Sequence, residues 1–203
     1  MRRRRGLLLI RATGVLLAGV LAVVLVGTLR SPISTKMGSA PSSSVAMTPA
    51  GSSAKFAYLS HQHSNRCGLQ AAEIRAHPDQ QRLQGSCCSA MDERSYQAQV
   101  AALRRYRAIP EIPTDPYDVP AGLVKKLLHD RAAITLSPRQ ATTYRQAMQR
   151  TPEQGPCCCH RWRWDAFEGL SKFLIARKGW SATELARLIT ALDGCGGPDT
   201  GIA

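Results

Sequence analysis

The sequence has 203 residues, 27 of them basic and 14 acidic, for a net charge of +13, and it carries seven cysteines and five histidines. Six of the basic residues and none of the acidic ones fall within residues 1–30, which leaves 21 basic against 14 acidic residues in the rest, a net +7. Much of the basic excess is thus a topology signal, and the remainder suits an anionic membrane face or an acidic partner better than nucleic acid.

The chain opens with "MRRRRGLLLIRATGVLLAGVLAVVLVGTLR", in which Ala12 to Leu29 run for 18 residues without a charge. That length just spans a bilayer core as a helix. The arginines ahead of it put the N-terminus in the cytoplasm and everything after Arg30 outside. Residues 1–30 are therefore expected to be a single-pass anchor in the cell membrane. A cleaved signal peptide is the alternative, but its apolar region is normally only about 7–15 residues and ends at a small-residue site. Both readings make the rest of the chain extracytoplasmic.

Residues 31–54, "SPISTKMGSAPSSSVAMTPAGSSA", lack apolar periodicity and read as a flexible Ser/Ala/Pro tether. Residues 55–203 are then one domain's worth of chain, and its signals are helical. "SNRCGLQAAEIRAHP" predicts a first helix from Ser64 and Asn65 to before Pro78. "MDERSYQAQVAALRRYRAIP" predicts a second, with Asp92 as its cap and Tyr96, Val100 and Leu103 on one face. Prolines 110, 113, 116 and 120 predict an extended, polyproline-like crossing.

After the crossing, Pro120 opens a helix bearing Leu123, Val124, Leu127 and Leu128, and Ser137-Pro138 opens another that runs to about Arg150. "RWRWDAFEGLSKFLIARKG" predicts a helix with Phe167, Leu170 and Leu174 on one face, ended by Gly179. Ser181 and Glu184 form a capping box for a last helix bearing Leu185, Leu188, Ile189 and Leu192. These last two helices are expected to form an antiparallel hairpin. The fold class is all-α: a small cysteine-rich helical domain behind one transmembrane helix.

All seven cysteines, Cys67, Cys87, Cys88, Cys157, Cys158, Cys159 and Cys195, lie in this domain, and His61, His63, His77 and His160 lie in or near the same segments. Two explanations stand side by side. In an oxidising compartment, disulfides would staple a small helical fold; seven is odd, so three bridges leave one thiol over. Alternatively, soft thiolates with imidazoles suit copper(I), or zinc as the second choice. The candidate ligands are His61, His63, Cys67, Cys87, Cys88, Cys157, Cys159 and His160. Cys67 at a helix start would have its thiolate favoured by the dipole.

No C-x-x-C knuckle pair, C-x-x-C-H haem motif, Ser-His-Asp order, phosphate loop or carboxylate dyad is present, which points away from a catalyst. In "RWRW", Trp162 and Trp164 are expected to cover the cysteine cluster with apolar surface. His129, late in its helix, is expected to complement the helix dipole, as is His77.

"GPCCCHRWRW" together with "AFEGLSKFLIARKGWSATELARLI" resembles the C-terminal part of exported bacterial proteins with a Pro-Cys-Tyr-Cys-Gly-Cys (PCYCGC) motif, over about residues 155–192. Pro156, Cys157 and Cys159 match that motif; Cys158 replaces its tyrosine, and His160 and Arg161 stand where it has glycine and cysteine. The resemblance implies an exported cysteine-motif protein with metal binding. The reading reached from sequence is a membrane-tethered extracytoplasmic module that binds or delivers a soft metal ion, with copper first, to a membrane-bound protein partner. The alternative is a disulfide-stapled accessory subunit of a membrane complex without metal. A third is a thiol oxidoreductase using Cys157 and Cys159.

Overall fold

The computed structural model describes residues 48–198. The expected anchor, and the expected tether up to residue 47, lie outside the described residues. Among the described residues no helix is long and apolar enough to cross a membrane. Seven α-helices, one 3-10 turn at Arg104–Tyr106 and a pair of three-residue strands make up the regular structure of the described residues, so this part is mostly helical, as expected.

The first described helix starts just ahead of the expected boundary at Lys55. The Ser52 hydroxyl accepts from the Lys55 backbone N–H and caps helix α1, Ser53–Leu59, while the Gly51 N–H donates to the Tyr96 hydroxyl at 2.9 Å. Helix α2 covers Ala71–Ala76 only, with Gln70 and Glu73 as its capping box. The expected start at Ser64 and Asn65 fails because those side chains bond elsewhere. The Ser64 hydroxyl accepts from the Gln84 N–H at 2.7 Å and the Asn65 amide donates to the Gly85 carbonyl at 2.7 Å. Cys67 therefore sits in a turn and has no helix dipole behind it.

Strand β1, Arg82–Gln84, pairs antiparallel with β2, Asp118–Pro120, with Leu83 opposite Val119. The proline-rich segment is consequently no polyproline crossing: it descends through turns and ends in a strand whose ladder the sequence did not announce. Helix α3, Glu93–Leu103, is capped by Asp92 as expected and buries Tyr96, Val100 and Leu103.

Helix α4, Ala121–Ala133, follows Pro120 directly, and α5, Pro138–Met148, starts from a Ser137–Gln140 capping box. Helix α6, Trp162–Lys178, ends at Gly179 in the left-handed conformation (φ 69°), and α7, Ala182–Ala191, begins at the Ser181–Glu184 box. The expected hairpin of the last two helices is altered by the apolar faces they meet. Helix α6 packs mainly along α4, whereas α7 packs on α5 and α3 and less on α6. Val119, Val124, Leu127, Leu170, Leu174 and Leu188 form the centre of the main core, all without solvent exposure; each such side chain contributes about 1.5–3 kcal/mol of burial.

Candidate metal centre

Four separate segments deliver the cysteines to one place, and backbone hydrogen bonds fix them there independently of any sulfur bond. The Cys67 N–H donates to the Cys87 carbonyl (3.1 Å), the Cys87 N–H to the Gly194 carbonyl (2.9 Å) and the Ser89 N–H to the Cys195 carbonyl (2.8 Å). The Trp162 N–H reaches the Leu69 carbonyl at 3.5 Å, which ties the start of α6 to the Cys67 turn. The Gly197 N–H donates to the Ala90 carbonyl at 2.7 Å, and Met91 bridges to Gly197. Side chains are thus positioned by loops that a framework of helices and one short ladder holds together.

All seven sulfurs belong to one continuous cluster. Cys67 and Cys159 form a disulfide, with Cα atoms 6.3 Å apart. The other contacts run Cys88–Cys159 (3.2 Å), Cys88–Cys158 (3.3 Å), Cys87–Cys88 (3.3 Å), Cys87–Cys195 (3.7 Å), Cys157–Cys195 (3.8 Å) and Cys158–Cys195 (2.8 Å). Two groups of four have all their sulfurs within 4.8 Å of one another: Cys87, Cys157, Cys158 and Cys195, and Cys87, Cys88, Cys158 and Cys159. A thiolate tetrahedron with metal–sulfur bonds of about 2.3 Å has edges of about 3.8 Å; in the first group the Cys87–Cys195 and Cys157–Cys195 separations match this, and the Cys158–Cys195 separation of 2.8 Å is shorter. These cysteine clusters have the composition and spacing to hold a metal ion. The first group has no member in the disulfide, so it presents four thiols even in the bridged state.

Burial grades the cluster from inside to outside. Cys157 and Cys195 are 3% and 7% exposed, Cys87 is half-buried, and Cys88 and Cys158 lie at the surface. Hydrogen bonds from Cys195 and Cys87, helped by the charge of Arg163, hold the Cys157 thiol well below its usual range despite burial. Cys158 is pushed up to about 12, first by desolvation, and Cys87 and Cys195 are also raised, chiefly by their hydrogen bonds with Cys157.

Arg163 supplies the positive charge. It is 2% exposed, and its guanidinium donates to the Pro116 carbonyl (3.0 Å) and the Leu192 carbonyl (2.8 Å), while its Nε–H has no partner. It lies over the rings of Trp162 (5.2 Å) and Phe167 (4.9 Å). Gly194 leaves the space this guanidinium fills, because a Cβ there would strike it. A buried guanidinium whose acceptors are neutral carbonyls favours a nearby anion, and its charge is among the causes that lower the Cys157 thiol in the same cleft. Arg66, Arg161 and Arg163 line a cleft with Cys67, Cys87, Cys157, Cys159 and Trp162.

Of the residues singled out from sequence, Cys67, Cys87, Cys88, Cys157 and Cys159 are brought together. His61 and His63 are exposed, and both four-membered groups consist of cysteine alone. His160 is also exposed and stacks on Trp164 with ring centroids 3.7 Å apart. Trp162 is buried in the core at the cluster's edge, as expected of a covering side chain. Sequence reasoning did not include Cys158 or Cys195 among the ligands and did not single out Arg163. The "GCGG" around Cys195 was a usable signal, since small residues mark close backbone approach. No family model, curated protein or solved structure matches the chain.

Proposed function

We propose that this protein is a membrane-tethered, extracytoplasmic carrier that binds copper(I) through Cys87, Cys157, Cys158 and Cys195 and passes it to a membrane-bound acceptor. The observation that carries this reading is the four-thiol group itself, with no nitrogen or oxygen donor in it and no member in the disulfide. All-sulfur donor sets select copper(I), zinc and iron–sulfur clusters over harder ions. Structural zinc sites are closed tetrahedra. Here Cys158 stands at the surface, which gives an ion a ligand that an incoming acceptor thiol can replace. The exposed Arg161 at the cleft rim, beside an Arg66 that is paired with Glu73, suits an anionic acceptor. The Arg run and the apolar segment of residues 12–29 support the tether.

A second reading, the metal-free stapled accessory subunit, draws on the Cys67–Cys159 bridge and the 2.8 Å approach of Cys158 to Cys195. Anaerobic titration of the full-length chain with copper(I) against a competing chelator, with thiols counted before and after, separates the two. Stoichiometric uptake that protects four thiols supports the carrier. Six cysteines locked in bridges and no uptake support the staple.

A further inference from the structure

The two four-sulfur groups are not independent, because Cys87 and Cys158 belong to both. What remains of each group is a pair: Cys157 and Cys195, 3.8 Å apart on the buried side, and Cys88 and Cys159, 3.2 Å apart on the solvent side. Two pairs of terminal sulfurs flanking a shared pair is the arrangement of two coordination tetrahedra joined along an edge. Cys159, however, is bonded to Cys67, and a disulfide sulfur is not the thiolate a metal requires. The bridge therefore closes one of the two positions and leaves the other intact.

Resting on the metal-binding reading, we propose that the protein has a second, redox-gated metal position: with the Cys67–Cys159 disulfide intact it holds one ion, and on reduction it holds two, with Cys87 and Cys158 bridging them. The inner ion is bound terminally by Cys157 and Cys195, and the outer one by Cys88 and Cys159. In the gating step a dithiol reductant gives two electrons and two protons to the disulfide. The sulfur–sulfur bond breaks, Cys67 and Cys159 become thiols, and the reductant leaves as its own disulfide. Cys88 and Cys159 then release their protons to solvent as they take the outer ion.

Cys67 has no place in either group, and this fits a residue whose task is to withhold Cys159. The gate needs no large movement, since the Cys67 turn is tied to Cys87 through its backbone and the sulfurs of the outer group are already within 4.8 Å of one another. The outer position is also the accessible one, with Cys88 and Cys158 exposed. Reduction thus adds a second, exchangeable ion on the exposed side of the cluster.

The test is native mass spectrometry of the full-length chain in detergent, loaded anaerobically with excess copper(I), before and after treatment with a dithiol. One copper per chain in the bridged form and two in the reduced form is the expected result. Cys67→Ser is expected to bind two with no reductant. Cys88→Ser, which keeps the bridge and so the stability it confers, is expected to bind one in both states. One copper in both states of the unaltered protein overturns the second position while leaving the metal reading intact. Two in both states overturns the gate, and none in either state removes the metal reading itself.

Discussion

Arg163 and Cys157 line the same cleft and are almost equally removed from solvent, at 2% and 3% exposure. The guanidinium charge favours the thiolate form of Cys157, and a thiolate there would give a guanidinium bonded only to carbonyls a nearby anion. Arg163→Met keeps much of the apolar body but removes the charge and the hydrogen bonds to Pro116 and Leu192. We expect it to destabilise the fold by about 3 kcal/mol and to lower the thiolate absorbance of the metal-free protein at neutral pH. Denaturant unfolding and ultraviolet difference spectra measure the two effects. An unchanged thiolate signal would show that Arg163 serves packing alone.

The Cys67–Cys159 bridge joins residues 92 positions apart. In the chain-entropy account, closing so long a loop contributes about 4–5 kcal/mol. A Cys67→Ser, Cys159→Ser variant should therefore lose that amount in denaturant unfolding under oxidising conditions, and should match the unaltered protein once both are reduced.

Asp118 sets part of the acid limit of the fold. Burial raises its pKa, but hydrogen bonds from Arg82 and Lys55, each at 2.7 Å, outweigh burial and hold it below the ordinary value of 3.8. A carboxylate lowered in the folded state contributes stability that is fully present above its unfolded value and is lost as pH falls through the folded one. The loss is thus expected below about pH 4. Asp115 is raised, first by desolvation, so its protonation works in the opposite direction and softens the acid limb. Asp118→Asn should cost about 3 kcal/mol near neutrality and flatten the loss below pH 4; unfolding midpoints from pH 7 to pH 3 check both.

Gly194 is held to glycine by the Arg163 guanidinium, which occupies the space a Cβ would take. Gly194→Ala is expected to destabilise by about 1–3 kcal/mol, the usual range for overpacking. Because the Cys87 N–H donates to the Gly194 carbonyl, the substitution should also weaken copper(I) affinity, read in a chelator competition. Full affinity with reduced stability would detach this turn from the site.

Much of the helical frame was legible because its signals are local. Asp92, Ser137 and Ser181 cap the helices expected of them, and Gly179 ends the one it should. Two of the failures are places where a distant partner overrode the local pattern. Ser64 and Asn65 look like helix starters but tie the chain to β1. Asp118–Pro120 looks like part of a proline crossing but finds Arg82–Gln84. The site was legible in composition and only partly in membership. Cysteine counting marked the segments, yet whether Cys158 or His160 of one short run enters the cluster depends on which way a turn aims its side chains. His160 was drawn off by an aromatic face, Trp164, that only the folded turn brings alongside.

X-ray absorption at the copper edge, on full-length protein loaded with one equivalent of copper(I), reads what surrounds the bound ion directly. We expect a first shell of sulfur alone, abolished as a defined site in Cys157→Ser, Cys195→Ser and unchanged in His61→Ala, His63→Ala and His160→Ala. Nitrogen or oxygen in that shell, or loss of the site on removing a histidine, would contradict the proposed all-cysteine centre.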